Sequence, residues 1–474
     1  MTAPQSSLPL QDSVRPVTAA RPGWLYESVA RRRSIAAGNA SCHELLHDSF
    51  AYLASKIIPG FFALVSVPVF VRVLGIEEYG RLSLLLPVLM APAAAGAGWL
   101  QQGILRFHPP ARAQDPGAPG FYQAVRGGTA WAVLGLALLL VPVLRILHYP
   151  AVFWLIAELY CALQLIYSVR LSGLQARLLP RQVAVSEMLR AGAGFMLPLA
   201  LILLTGKKSL ALMLAGLACG YALPLAIGHD PRRVIAGYGR RRGQGLLLLQ
   251  AGAKKILAQL WRFGWAVGAW LMLCQALPLI GRSMIERYAG YAQAGVYASL
   301  YELAVRAFSF FAFPVTLAAH PRIMRSWNLG DYAGARRTLA QAIWMQALLF
   351  IPVEAAGIAF ARPLTTLISG DAAASRWLLP LLMLGGFLWQ TALLAHKPLE
   401  ILERTRTMLA GMLAVIVCEF LGNYLLVPRF GMIAAVYVFV LGALVYLALV
   451  SACAQLLQDR PGCLPASPAM ETSG

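Results

Sequence analysis

The residues that bear on chemistry are ionisable side chains set inside, or at the edges of, long apolar stretches. Glu302 and Arg306 stand four residues apart, a spacing that puts both on one face of a helix within reach of a charge-assisted contact. An isolated charge at a helix centre in lipid costs roughly 2.5–3.5 kcal/mol on insertion scales, so such groups face a cavity or one another. Read functionally, Arg306 offers a fixed cation to a phosphate, and Glu302 tunes or competes for it in an ion-coupled cycle. Read structurally, the two neutralise each other inside a bundle. Glu187 and Arg190 repeat the arrangement three residues apart, with Arg190 close enough to a span end to snorkel.

Glu158, Glu354 and Glu419 are single carboxylates within apolar stretches. Each suits a proton or sodium site, or a protonated carboxyl held by a neighbouring backbone. Arg72 and Arg282 close two of the stretches and make either a cationic outer rim or ordinary interfacial anchors. Lys56 and Arg262 sit in the same way near the opposite mouth. Cations at successive levels give an anion successive stations, and low dielectric strengthens each attraction.

His43-Glu44-Leu45-Leu46-His47 matches a zinc-binding pattern, in which a helix presents two imidazoles with a general base between them. No third ligand is apparent, so a juxtamembrane surface helix is the expectation and no metal is assigned. The sequence carries no phosphate-binding loop, dinucleotide fingerprint or nucleophile elbow. No cofactor and no enzymatic activity are expected. ATP-driven transport would need a partner subunit.

The elements that hold these residues follow from composition. Hydrophobic residues make up 59% of the 474 and charged residues 13%, against about 45–50% and about 25% in soluble domains. The apolar residues gather in about twelve runs of about 17–25, the length that crosses a hydrocarbon layer as a helix. The runs are 53–74, 82–105, 129–147, 152–174, 183–204, 210–227, 263–280, 296–319, 339–360, 378–394, 408–427 and 433–457. Backbone groups in lipid must be satisfied internally, and no alternating barrel pattern is present. The fold class is therefore all-α, a polytopic membrane protein.

The net charge of +20 does not mark a nucleic-acid binder, because the basic residues are spread over many short loops. With the N-terminus cytoplasmic, about 29 Lys and Arg fall in or beside cytoplasmic segments and about 10 in external loops, a bias that places both termini inside. The richest segment carries Arg232, Arg233, Arg240, Arg241, Arg242, Lys254 and Lys255. It reads as a topology anchor or a lipid-headgroup site. Scattered cysteines imply no disulfide framework. The expected organisation is a cytoplasmic disordered tail over 1–49, a six-helix lobe over 50–228, a basic cytoplasmic linker over 229–259, a second six-helix lobe over 260–457 and a tail over 458–474.

Three spacings recur in order. Gly75-x4-Gly80 returns as Gly290-x4-Gly295, Pro68-x3-Arg72 as Pro278-x3-Arg282, and His108-Pro109 as His320-Pro321. They indicate a duplicated six-helix unit, with parallel halves that enclose a cavity and alternate access by rocking. Pro59, Pro68, Pro87, Pro92, Pro278, Pro314 and Pro352 fall within spans, where the ring removes a backbone bond and suits a bending helix.

Through Arg72-Val73-Leu74-Gly75-x2-Glu78-Tyr79-Gly80, Gly290-x4-Gly295-Val296-Tyr297, Pro321-Arg322-Ile323 with Gly330-Asp331, and Asn423-x4-Pro428-x2-Gly431, the chain resembles the Wzx-type polysaccharide flippases. These belong to the multidrug/oligosaccharidyl-lipid/polysaccharide exporter (MOP) superfamily. With the span layout, the resemblance extends from Tyr52 to Leu457. It implies two lobes around a central cationic cavity, and translocation of an undecaprenyl-diphosphate-linked oligosaccharide across a bacterial inner membrane. It also implies membrane lipids, a polysaccharide polymerase and a chain-length regulator as partners. The sequence departs at Gly281, where similar proteins often carry an acidic or amide side chain. A multidrug antiporter of the same superfamily is the nearest rival. A polymerase, ligase or glycosyltransferase would need a larger catalytic loop than any external connection here.

Overall fold

The computed structural model describes residues 42–109, 118–177, 179–227, 251–369, 377–402 and 404–458; the side chains of residues 42–56 are outside that description. Among the described residues every regular element is a helix. In chain order these are α1 (Cys42–Leu74), α2 (Ile76–Phe107), α3 (Ala118–Ile146), α4 (Ala151–Ala176), α5 (Pro180–Thr205) and α6 (Leu210–Ile227). The second half comprises α7 (Ala251–Asn328), α8 (Tyr332–Ser369), α9 (Leu378–Ala395), the short α10 (Lys397–Ile401), α11 (Thr405–Phe430) and α12 (Met432–Gln458).

Eleven of these helices are long and apolar enough to cross a membrane, with windows of mean hydropathy from 1.6 to 2.7. At about 1.5 Å per residue, an unbroken α7 would reach about 117 Å, far beyond a hydrocarbon layer of about 30 Å. It is broken at Gly290, where φ is 81° and ψ is 172°. Among the described residues, ten helices are thus long enough for one crossing each and α7 for two, twelve in all, as suits a multi-pass membrane protein. Most helices outrun the apolar runs at both ends, because helical backbone continues through the interface where side chains turn polar. α1 begins at Cys42 although its apolar window begins at Ile57, and α7 begins at Ala251, inside the segment read from sequence as a linker. The arginines at 232, 233, 240, 241 and 242 lie outside the described residues. Helical backbone runs through Pro59, Pro68, Pro87, Pro92 and Pro352.

The repeated glycines explain how the halves meet. Gly75 precedes α2 with φ 90° and ψ 156°, close to the backbone of Gly290, in a region that only glycine enters without strain. Each therefore turns the chain sharply at the same end of the bundle, here termed the corner end. Five residues on, Gly80 and Gly295 stand where the two new helices cross. A Cβ on Gly80 would overlap the carbonyl oxygen of Tyr291, and one on Gly295 would overlap that of Ile76. These contacts exchange when the halves are exchanged, as expected of a duplicated unit. Towards the other end, α2 packs on the first arm of α7 through Gly98 against Gly268 and through Trp99 against Gly264. Small residues let these backbones touch, the usual device where lipid supplies no hydrophobic drive.

Apolar burial follows the same division. One cluster, with Leu89, Leu100, Leu140, Phe153 and Leu165, knits α2, α3 and α4 of the first lobe and takes in Leu260 from the first arm of α7. Another, with Leu277, Met412 and Tyr446, knits α7, α11 and α12 within the second. A third joins both lobes, drawing Val67, Val71 and Leu74 of α1 together with Ile285, Tyr297, Tyr301 and Phe439. Near the corner end the halves are thus packed directly on one another.

Candidate functional site

A cation within an apolar run sits at that seam. Arg306 is about 24 Å along α7 from Gly290, and a helical side chain leans back toward its own N-terminus, so the guanidinium lies nearer mid-membrane depth. Its Nε donates to Glu302 Oε2 at 2.9 Å, the contact expected from their spacing. Its Nη1 crosses to α1 and donates to the Ala63 carbonyl at 2.8 Å and to Ser66 Oγ at 3.0 Å. The other carboxylate oxygen of Glu302 accepts from Arg282 Nη2 at 2.7 Å. Arg282 also donates through Nη1 to the Ser83 carbonyl of α2 at 2.9 Å, and its guanidinium lies 5.1 Å from the centre of the Tyr301 ring.

Two guanidiniums from the second lobe thus share one carboxylate and reach two backbone carbonyls of the first. With both arginines charged and the carboxylate ionised, the cluster carries one net positive charge. Exposure separates its members. The Arg282 side chain is 3% exposed, whereas Arg306 is 34% and Glu302 25% exposed. Arg282 serves as a buried strut, and Arg306 is the cation that another molecule can touch.

The remaining candidates distribute as follows. Arg72 is exposed at the end of α1 while Arg282 is buried in the seam, so the pair does not form an outer rim. The equal spacing of Pro68-x3-Arg72 and Pro278-x3-Arg282 hides this, because one connection to the corner glycine is longer. Arg262 is exposed on the first arm of α7, and the side chain of Lys56 lies outside the described residues. Glu187 and Arg190 form an ion pair at 3.3 Å within the first lobe. Tyr167 of α4 donates to Glu187 Oε1 at 2.6 Å, and Arg190 lies about 6 Å over the rings of Tyr167 and Tyr221.

Glu419 is buried on α11, where Asn423 Nδ2 donates to its Oε2 at 3.0 Å and to its carbonyl at 2.8 Å. Among the described residues Glu419 Oε1 and Asn423 Oδ1 have no hydrogen-bond partner, and the space left by Gly281 is faced by Asn423 Oδ1 and the Tyr297 hydroxyl. Glu158 and Glu354 each keep one buried carboxyl oxygen without a partner among the described residues. The motif at His43 to His47 lies on the helical backbone of α1, its side chains outside the described residues.

Sequence reasoning missed Ser66, Ser83, Tyr167 and Arg170. Arg170 of α4 donates to the carbonyls of Pro224 and Leu225 near the end of α6, at 3.2 and 3.0 Å. Only Arg170 carried a signal in the sequence, as a cation inside an apolar run. The others act through a hydroxyl or a carbonyl that many spans contain.

Residues 45–327, more than half of the chain, match the family of polysaccharide biosynthesis proteins. The chain belongs to that family. None of the curated proteins matches it in sequence. Among solved structures, the lipid II flippase MurJ in an inward closed conformation superposes with a TM-score of 0.63 at 12% identity, covering 87% of this chain and 91% of that one. A mutant of the Vibrio cholerae MATE transporter VcmN gives 0.60 at 14% identity, covering 89% and 98%. A multidrug resistance MATE family transporter of the MOP superfamily, in its inward-facing conformation, gives 0.61 at 14% identity, covering 85% and 97%. This member of the polysaccharide biosynthesis family therefore has the fold of the MOP-superfamily transporters, two lobes of six membrane helices.

Proposed function

We propose that the protein translocates an undecaprenyl-diphosphate-linked oligosaccharide between the leaflets of a bacterial inner membrane by alternating access between its lobes. Arg306 carries the reading: a partly exposed cation at mid-membrane depth whose bonds to the other lobe end on a neutral carbonyl and a hydroxyl. A diphosphate is a far stronger acceptor than either, since charge-assisted bonds to an oxyanion are roughly twice as strong as neutral ones. Substrate binding then draws Arg306 off Ala63 and Ser66 and loosens the seam. When the substrate leaves, the carbonyl and hydroxyl recapture the guanidinium, and Glu302 keeps it compensated throughout. In this reading both termini are cytoplasmic and the corner end faces outward. A polysaccharide polymerase and a chain-length regulator act downstream.

Glu419 is the coupling site we favour, because it is buried and one of its carboxyl oxygens has no partner among the described residues, a position that a proton or a small cation would satisfy. The same observation favours a second reading, ion-coupled multidrug antiport. Reconstitution separates the two. Proteoliposomes with the wild-type chain should move an undecaprenyl-diphosphate oligosaccharide to the opposite leaflet, and Arg306→Ala should abolish that movement in a protein that still elutes as a single species. Wild-type rates with Arg306→Ala, or ion-driven efflux of cationic drugs without lipid translocation, would overturn the proposal.

A further inference from the structure

Beside the seam, on the face of α7 next to Arg306, runs a cavity of about 420 Å³ walled by α7, α8 and α9. Its floor is made of small residues, Ala304 and Ala307 on α7 and Ala356 and Gly357 on α8, where Gly357 lets Met383 of α9 close the bottom. Phe311 and Phe360 form its lips and are 42% and 59% exposed. From Leu349 to Leu364 it follows α8 for about 22 Å at about 1.5 Å per residue, about three quarters of a bilayer's hydrocarbon thickness of about 30 Å. Every residue lining it is apolar.

We infer that this groove holds the polyprenyl chain of the substrate while its diphosphate is engaged by Arg306. The inference rests on the transport reading above. It is argued from complementarity: the Arg306 cluster carries net positive charge, and Leu303 and Ala307 of the groove directly follow Glu302 and Arg306 on α7. One amphiphile with an anionic head and a long apolar chain fits both features together. The floor favours a methyl-branched chain, because its small residues leave recesses between aromatic lips, and dispersion gains depend on filling such recesses. A chain docked here stays in lipid while only the head group passes between the lobes, so the glycan is never dragged through acyl chains.

The test uses the full chain in nanodiscs with benzoylphenylalanine at Phe360 and radiolabelled undecaprenyl diphosphate. Photolabelling is expected, competed by unlabelled undecaprenyl diphosphate but not by a large excess of dioleoyl phosphatidylglycerol. Filling the groove with Ala356→Phe, at an exposed position that tolerates a larger side chain, should lower labelling about tenfold, the factor for losing the burial of about two methylenes. Equal competition by the phospholipid, or full labelling of the filled variant, overturns the inference. Specific labelling by a wild-type protein that moves no lipid leaves the groove standing and removes the transport reading. Normal transport by the filled variant does the reverse.

Discussion

Gly80 and Gly295 each press against the carbonyl that begins the other's helix, Gly80 on Tyr291 and Gly295 on Ile76. The reciprocity makes one interface out of two copies of a motif. A branched side chain at either position must push the lobes apart against backbone, which cannot yield as a flexible side chain would. Gly80→Val and Gly295→Val should each cost about 1–3 kcal/mol, with similar values because the surroundings are equivalent. Thermal unfolding of the purified protein in detergent reads this directly. Gly135→Ala in α3, where a new Cβ meets nothing, is the control and should be neutral or slightly stabilising. Full stability in Gly295→Val would remove the close crossing of the halves.

Glu302 should be more critical to stability than either arginine it pairs. Removing its charge leaves two guanidiniums facing each other in the seam, and stranding one partner of a buried ion pair costs about 3–5 kcal/mol. Glu302→Gln is therefore expected to destabilise strongly, while Arg306→Ala, at a side chain already one-third exposed, should cost less and act mainly on transport. A double-mutant cycle between Glu302→Gln and Arg282→Met should give a coupling energy of about 0.5–3 kcal/mol, since both residues share one contact. A coupling near zero would show that the 2.7 Å contact contributes nothing to the packed state.

The span layout and the Glu302–Arg306 pair were legible because both depend on periodicity within one helix, which residue spacing encodes. Gly75 and Gly290 were legible for a related reason, since a sharp reversal between two helices needs a residue without a side chain. Arg282 was not. Its place at the end of an apolar run reads as interfacial, and only the packing of α7 on α2 turns it inward to Ser83. Ser66 and Tyr167 were hidden for the same reason, because which faces of two helices meet depends on their mutual register and no local pattern records it. The groove beside Arg306 was equally invisible, being an absence of bulk shared among three helices.

Tyr167 offers a test of the cluster inside the first lobe. Its hydroxyl donates to Glu187 at 2.6 Å, and a hydrogen bond to a charged group contributes about 1.5–3 kcal/mol. Tyr167→Phe removes the hydroxyl and keeps the ring under Arg190, so a loss in that range is expected with little effect on substrate affinity. If affinity for the lipid-linked glycan falls much more than stability, the Glu187 and Arg190 pair belongs to the substrate path after all.

The last expectation concerns Glu419, whose Oε1 lies against α12 so closely that a Cβ on Gly442 would overlap it. The carboxyl is thereby held with one oxygen on Asn423 and the other unanswered. A buried acceptor without a donor is costly, and a bound proton or cation removes that cost. Glu419→Gln keeps the size of the side chain but can neither take up a proton nor offer a negative charge to a cation, so the site can no longer be loaded. The variant should fold, bind the lipid-linked glycan normally and lose the dependence of transport on an imposed proton or sodium gradient. Fluxes measured in proteoliposomes with and without each gradient decide the matter. A variant whose flux still follows the gradient as the wild type does would place coupling elsewhere, with Glu158 and Glu354 next in line because each also keeps a buried carboxyl oxygen without a partner.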